Sequence, residues 1–251
     1  MGKLFNIESP LIQGMNKVAD LMWLNILVLF CSLPIFTIGA SLTAAHYVAL
    51  KMHRNEEGYI TKDFFRAFKS NFRQSTIVWL LMMLVAVILG FDYYLILENM
   101  IEVPYLLRVV IFAATFIFAF MLMWIFPMQA KFENSISRTI KNSFAVALMK
   151  FPRSILMLIL YVIPWLIVWL SIRAIPLFLV FGVSVPIYFS VMLYNKFFKK
   201  LENNVMERID AEGNTEDHAE EKADDTERIF SDKPLIRGED DYQSGKKKDG
   251  K

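Results

Sequence analysis

The chain has 251 residues, of which 55% are hydrophobic and 14% aromatic, and its formal net charge is +2. Its apolar residues stand in runs of about 18 or more, and runs of that length cross a bilayer instead of forming a soluble core. This excludes a soluble domain, and the single cysteine, Cys31, excludes an internal disulfide or a Cys-based metal cluster.

The net charge is positive in the first part of the chain and negative in the last. Residues 1–195 carry 15 Lys/Arg against 9 Asp/Glu, whereas residues 196–251 carry 12 against 16. In a membrane protein, a basic body indicates loops that face an anionic leaflet, not nucleic-acid binding. We therefore expect the lipid bilayer as a partner and no nucleic acid.

Residues 21–50 contain no Asp, Glu, Lys or Arg, and Pro34 and Gly39 interrupt this run near its middle. We interpret the run as one transmembrane helix that is kinked at Pro34. A cleaved signal peptide is a weaker alternative. A re-entrant hairpin is another, but its uncharged arms of 13 and 12 residues would be only about 20 and 18 Å long, too short to cross twice.

Four further uncharged runs predict transmembrane helices, namely residues 74–91, 109–130, 154–172 and 174–195. Each is about 27–33 Å long as a helix, enough to span the hydrocarbon core. A turn with Arg173 and Pro176 separates the last two, which we expect to form an antiparallel hairpin. The sequence thus predicts an all-α, polytopic membrane protein with a five-span domain over residues 1–200.

Two of the connections between spans are basic. The connection 51–73 holds six Lys/Arg and 131–153 holds five, whereas 92–108 has only Arg108 beside three acids. By the positive-inside rule, the basic connectors and the C-terminus are cytoplasmic, and the N-terminus of a five-span protein is outside. Phe65, Phe68 and Phe72 share one helical face of the first connector, which indicates a helix lying in the interface or a lead into the next span.

A weak internal repeat links the two connectors, and a different region follows the spans. At an offset of 79 residues, four identities recur: Lys62/Lys141, Phe65/Phe144, Phe72/Phe151 and Ser75/Ser154. A duplication of the kind found in many transporters is one interpretation, and biased composition is the other. Residues 201–251 are too charged to bury a core, so we expect a disordered acidic tail.

The sequence contains no recognisable catalytic or metal-binding pattern. A phosphate-binding glycine loop, a nucleophile elbow and a zinc-protease helix motif are all missing from it. His46 and His53 are two helical turns apart, about 10.5 Å, too far to hold one metal ion unaided. Asp92 is the acid nearest a span interior and is our candidate polar site. We expect no enzyme activity, no metal and no cofactor.

Three blocks carry a resemblance to a known family: residues 23–25 (WLN), residues 32–40 (SLPIFTIGA), and residues 56–59 (EEGY) with 64–74 (FFRAFKSNFRQ). In order and spacing they resemble the YesL-like family of uncharacterised bacterial inner-membrane proteins. The resemblance covers about residues 1–200 and implies a five-span protein, often encoded beside carbohydrate uptake and sensing systems, with no assigned catalytic residues. The signature positions that it supplies are Asn25, Pro34, Thr37, Gly39, Phe65, Phe68, Asn71 and Phe72.

Within the signature, Pro34 and Gly39 would shape a break in the helix, and Thr37 would bond to backbone that Pro34 frees. The expected function is that of an accessory or scaffold component, with a sugar transporter or a sensor kinase as partner, in the bacterial inner membrane. The alternative is a small transporter or permease subunit for a sugar-type solute. The sequence leaves the solute, the identity of the partner and the oligomeric state open.

Overall fold

The computed structural model describes residues 10–56, 58–98, 104–213 and 235–236. These residues form eight α-helices, namely α1 (Pro10–Cys31), α2 (Ile38–Arg54), α3 (Ile60–Leu97), α4 (Tyr105–Lys131), α5 (Ile136–Met149), α6 (Phe151–Leu170), α7 (Ile175–Phe181) and α8 (Ser184–Gly213). Turns of 3₁₀ helix at Ile35–Thr37 and Ile172–Ala174 precede α2 and α7. The predicted all-α class is confirmed.

One very short antiparallel pairing accompanies the helices. Strand β1 (Phe132–Glu133) pairs with β2 (Leu235–Ile236), with Phe132 opposite Ile236 and Glu133 opposite Leu235. β2 comes from the region that the sequence predicts to be a tail. Its two residues therefore have a backbone partner directly after α4.

Five helical segments are long and apolar enough to cross a membrane: Gly14–Cys31, Ile35–Arg54, Ile60–Leu97, Tyr105–Lys131 and Phe151–Leu170. A sixth span results if α7 and α8, which are bent by 55° at the break between them, are counted together. The described residues thus contain five candidate spans, the number that the sequence predicts, but these are not the same five segments. α1 and α2 are separate spans, and the predicted span 174–195 is the bent pair.

The structure replaces the predicted kinked helix over residues 21–50 by an antiparallel hairpin. Ser41 Oγ donates to the carbonyl oxygen of Val28 (2.9 Å), and Lys17 Nζ donates to Asn55 Oδ1 (3.0 Å), so positions equidistant from the break are neighbours. The arms are 22 and 17 residues long, or about 33 and 26 Å. The arms are long enough because both helices continue past the uncharged run. The estimate of about 20 and 18 Å from the sequence counted only the uncharged residues.

α2 is the central helix of the bundle. Its span is 61% buried, and it contacts α1, α3, α4 and α8. A Cβ added at Gly39 would lie 2.5 Å from the carbonyl oxygen of Ser75 and 2.5 Å from Trp79 Cβ. Glycine is therefore needed at this position, because the backbones of α2 and α3 approach each other directly.

The outer helices expose apolar surface. The spans in α3, α4 and α6 are only 6%, 22% and 11% buried. Their exposed side chains are mostly Leu, Ile, Val, Phe and Trp. Since lipid tails are as apolar as these side chains, such faces are stable against a bilayer and not against water.

The two basic connectors take different forms. Residues 60–73 are the first part of α3, which continues without interruption for 38 residues, or about 57 Å, far more than the ~30 Å hydrocarbon core. The second connector contains a separate helix, α5, which packs against α4 and α6. The first connector is therefore a lead into its span, as one of the two interpretations held.

Several helix ends are joined by hydrogen bonds and ion pairs of cationic side chains at one end of the bundle, which we call the cation end. Its residues are the cations Lys17, Lys51, Arg54 and Lys131 and their partners Asn55, Asp63 and Glu202. Glu202 accepts from Arg54 Nη2 (3.2 Å) and from Lys131 Nζ (3.0 Å). Lys51 pairs with Asp63 (3.1 Å). The first turns of α1 and the second half of α8 thus lie at the same end, whereas the sequence predicted opposite sides.

The tail begins later than predicted. α8 continues to Gly213, beyond the predicted boundary at residue 200, and Glu202 within this extension pairs with two cations. The expected disorder of the remaining tail falls on residues 214–234 and 237–251, which lie outside the described residues.

Candidate functional site: an intrabundle cavity

The first break in the bundle separates α1 from α2. Thr37 Oγ1 lies 2.6 Å from the carbonyl oxygens of both Cys31 and Pro34, so its proton can be given to either. From α3, Trp79 Nε1 donates to the carbonyl oxygen of Ile35 (2.8 Å). Side-chain donors thus satisfy backbone carbonyl oxygens that a continuous helix would have bonded internally. Buried backbone groups need such partners in lipid.

The second break separates α7 from α8, and Asn25 of α1 bridges it. Asn25 Oδ1 accepts from the backbone N–H groups of Val183 and Ser184, both at 2.9 Å. Its Nδ2 donates to the carbonyl oxygen of Leu179 at 2.7 Å. In an unbroken helix the N–H of Val183 would bond to that same carbonyl. One fully buried carboxamide therefore replaces the helical hydrogen bonds that the bend removes.

The position of this break follows from Pro186. A proline has no N–H and its ring collides with the carbonyl four residues earlier, here that of Gly182. A Cβ at Gly182 would collide with the ring of Phe178, so glycine is needed at the bend. The sequence thus contained a signal for the bend, which the prediction of one continuous span over residues 174–195 had missed.

Between the two breaks, His46 of α2 links three helices. Its Nδ1 is 3.1 Å from Tyr194 Oη on α8, and its Nε2 is 3.1 Å from Tyr161 Oη on α6. Tyr161 Oη is in turn 3.4 Å from Ser190 Oγ, which donates to the carbonyl oxygen of Ile187 (2.7 Å). These groups form one continuous hydrogen-bonded chain in the interior of the bundle.

The direction of this chain follows from its last member. A carbonyl oxygen only accepts, so Ser190 gives its proton to Ile187 and accepts from the Tyr161 hydroxyl. Tyr161 then accepts from His46 Nε2–H, and His46 Nδ1 accepts from Tyr194. The opposite direction would leave the hydroxyl proton of Tyr194 without an acceptor in this chain. We therefore assign neutral His46 as the Nε2–H tautomer.

A cavity of about 360 Å³ lies beside this chain. Three lining side chains carry a hydroxyl or an imidazole, namely Ser32, His46 and Tyr161, and the indole N–H of Trp165 is a further donor. The other lining residues are apolar or aromatic and come from both breaks and from α1 to α4, α6 and α7: Val28, Leu29, Ile38, Leu42, Trp79, Leu122, Met123, Phe126, Trp165, Phe178, Gly182 and Val183. No Asp, Glu, Lys or Arg stands among these described residues.

A second hollow of about 280 Å³ lies between α6 and the bent pair α7–α8. Residues such as Ile163, Leu177 and Phe189 line it, and no hydrogen-bonding side chain is among the described residues around it. It shares only Phe178 and Gly182 with the first cavity. The polar groups of the bundle are thus concentrated at the cavity beside His46.

These breaks, the Asn25 bridge and the close approach at Gly39 all involve the first part of the chain, which is also the part that a known family matches. Residues 21–93 match the family "Protein of unknown function, DUF624". Comparisons with curated proteins and with solved structures find no match. All three blocks of the YesL-like resemblance fall inside this DUF624 segment, and the narrower YesL-like name stays a prediction.

Four signature residues of the YesL-like resemblance take structural positions. Asn25, Thr37 and Gly39 hold the two breaks and the α2–α3 crossing, as described above. Asn71 is buried and donates to the carbonyl oxygen of Ala67 (2.8 Å). None of these four lines the cavity, so the signature and the cavity are neighbouring but different sets of residues.

The aromatic residues of the first connector and the candidate acid lie elsewhere. Phe65 and Phe72 are 45% and 36% exposed, and Phe68 packs between Phe64 and Phe72. That this aromatic face lies in the membrane interface stays a prediction. Asp92 is half-buried near the far end of α3, and among the described residues it forms no salt bridge and does not line the cavity.

The spacing of the histidines presents His46 only as a possible metal ligand and does not reveal its tyrosine partners. Tyr161 and Tyr194 stand in uncharged, mostly apolar runs, and a buried tyrosine in lipid needs a partner for its hydroxyl. That need was the available signal. In the described part of the chain no three His, Cys, Asp or Glu side chains are grouped to hold a metal ion.

Proposed function

We propose that this multi-pass helical membrane protein is a non-enzymatic accessory or scaffold component of a larger membrane assembly. One observation carries the proposal. Residues 60–73 of α3, helix α5 and residues 196–213 of α8 adjoin the helix ends that meet at the cation end, and we call them together the platform. A basic platform at one end of the bundle is a surface on which another protein can dock.

The platform has the charge and order that docking requires. Its exposed cations include Arg66, Lys69, Lys141, Lys196 and Lys199. Gln74 Nε2 donates to the carbonyl oxygen of Asn134 and so ties α3 to the start of α5 (2.5 Å). Fixed helices keep these charges in a defined pattern, which favours a specific partner over general attraction to anionic lipid.

The same proposal places the protein in a bacterial cell membrane, with the cation end in the cytoplasm because basic segments are retained there. A partner from a carbohydrate uptake or sensing system is supported by the YesL-like resemblance alone. In the six-span arrangement, the start of α1 and the second half of α8, which both lie at the cation end, would then face the cytoplasm.

The test is co-purification of the full tagged chain from mild detergent. We expect a sugar transporter subunit or a sensor kinase to accompany it, and the doubly charge-reversed variant Arg66→Glu/Lys69→Glu to lose that partner. Tyr105→Ala, an exposed position at the opposite end of the bundle, is the matched control and should retain it. Recovery of the chain alone, together with normal sugar uptake in a deletion strain, would contradict the proposal.

A small transporter or permease subunit is the second candidate, because the cavity lies between two broken helices, as in many transporters. A sugar-type solute fits it less well, since the few polar groups of the lining cannot satisfy all of a sugar's hydroxyls. Flux into proteoliposomes containing only this chain would support this function. Flux equal to that of empty liposomes across a broad panel of solutes would count against it.

A further inference from the structure

We propose that the cavity beside Tyr161 and His46 binds a small, uncharged, lipid-soluble alcohol. No known activity of the matched family assigns this site. The proposal is independent of the platform and its partner, because it concerns the interior of the bundle and not the cation end.

The size of the cavity suits a small molecule. A volume of about 360 Å³ falls within the ~300–1,000 Å³ range of ligand pockets. At roughly 30 Å³ for a water-sized group, it has room for about a dozen non-hydrogen atoms. That is too small for a whole phospholipid and large enough for a ring or a short branched chain.

The lining requires the ligand to be mostly apolar. Apart from Ser32, His46 and Tyr161, the lining consists of aliphatic, aromatic, methionine and glycine residues. A charged ligand would be buried without a counter-ion, and a polyol would leave hydroxyl groups without partners, both at a high cost in free energy. The cavity therefore selects against ions and free sugars.

The polar wall requires a hydroxyl on that ligand. In the hydrogen-bonded chain, both nitrogens of His46 are occupied, and Tyr161 Oη receives one proton and gives one. Its remaining lone pair can accept one more O–H. Ser32 is also a lining residue of the cavity, and its hydroxyl forms no hydrogen bond within the described part of the chain. A group that donates a proton, such as an alcohol, fits both positions.

The ligand would come from the bilayer. Trp165 lines the cavity and yet is 66% exposed, so it stands at the opening. It packs on Phe178 with ring centroids 4.9 Å apart. Around it, α6 presents Leu166 and Trp169 outward, which is a surface that faces lipid. A lipid-soluble molecule can therefore reach the opening without crossing water.

Tryptophan fluorescence gives a direct test, because Trp79 and Trp165 both line the cavity. The probe is 4-bromophenol, whose bromine quenches indole fluorescence, and bromobenzene is the matched probe without the hydroxyl. With the purified full chain in detergent, we expect saturable quenching by 4-bromophenol at concentrations about threefold to tenfold below those for bromobenzene, the factor for one net hydrogen bond.

Variants locate the site. Tyr161→Phe combined with Ser32→Ala should remove the difference between the two probes while leaving quenching by bromobenzene saturable. Leu42→Phe, which narrows the cavity, should raise the concentrations at which both probes quench. Leu177→Phe makes the same change in the neighbouring apolar hollow and should alter neither.

Equal, non-saturable quenching by both probes would overturn the proposal. So would a preference for 4-bromophenol that survives Tyr161→Phe/Ser32→Ala. If Leu42→Phe does not fold, the comparison of the two probes in the hydroxyl-deletion variant still decides between these outcomes. Loss of a co-purified partner has no bearing on this result, so failure of the accessory function and failure of this site are distinguishable.

Discussion

The carboxamide of Asn25 stands in for the helical hydrogen bond between Val183 and Leu179. It accepts from the N–H of Val183 (2.9 Å) and donates to the carbonyl oxygen of Leu179 (2.7 Å). A bend that would otherwise expose backbone groups to hydrocarbon is thereby made stable by a residue more than 150 positions earlier in the chain.

Replacing Asn25 should destabilise the fold. Asn25→Leu keeps a similar size but leaves buried N–H and carbonyl groups unpaired, so we expect the free energy of unfolding to fall by about 2–4 kcal/mol. Unfolding in mixed SDS micelles measures it. Asn203→Ala, an exposed position on α8, is the control and should change stability by less than about 0.5 kcal/mol. Equal effects of both variants would refute the bridging role.

Two glycines of the chain should respond in opposite ways to the same substitution. Gly39→Ala forces α2 away from α3, because the new Cβ would lie 2.5 Å from the Ser75 carbonyl oxygen. We expect a loss of about 1–3 kcal/mol. Gly90→Ala is the matched control, since nothing lies within 4 Å of a Cβ there, and it should stabilise α3 by up to about 1 kcal/mol. Thermal unfolding in detergent gives both values.

The direction of the His46 hydrogen-bonded chain makes an NMR prediction. With ¹⁵N-labelled histidine side chains, His46 should show the chemical shifts of a neutral Nε2–H tautomer, assigned by comparison with His46→Gln. Tyr161→Phe should cost more stability than Tyr194→Phe, because the first leaves a buried N–H without an acceptor and the second removes only a donor. An Nδ1–H tautomer would show that the chain runs in the opposite direction.

Glu202 should act as the common counter-ion of the cation end. Glu202→Gln leaves Arg54 and Lys131 facing each other without a shared carboxylate, and we expect a loss of about 1–3 kcal/mol. Exposed Glu207, on the same helix, provides the control Glu207→Gln, which should lie within about 0.5 kcal/mol of the wild type. If the two variants unfold at the same SDS fraction, the charge bridge contributes no net stability.

The hairpin of α1 and α2 makes a topology prediction. In a Cys31→Ser background, single cysteines at Asn16 and Glu56 should react with a membrane-impermeant maleimide from one side, and those at Phe36 and Ser171 from the other. The hydrogen bond between Lys17 and Asn55 (3.0 Å) is the reason. Labelling of positions 16 and 56 from opposite sides would instead support the single kinked crossing.

The sequence by itself determined the class of the protein. Uncharged runs of about 18 residues or more predict membrane helices, because burying a charge or an unpaired backbone group in hydrocarbon is costly wherever it occurs. The same local argument located the break around Pro34, the turn before Pro176 and the aromatic face of the first connector. Each of these depends on neighbours a few residues away in the chain.

Only the tertiary structure decided how these helices pair and where their polar groups meet. Boundaries drawn at the first charged residue made the hairpin arms too short, because Lys17 and Arg54 are themselves part of the helices α1 and α2. The sequence shows Asn25 only as a polar residue in an apolar run, and its role is evident only from its contacts with the α7–α8 break. The His46 site joins α2, α6 and α8, and such a site cannot be found from local patterns, because the need of each hydroxyl for a partner does not say which distant residue will supply it.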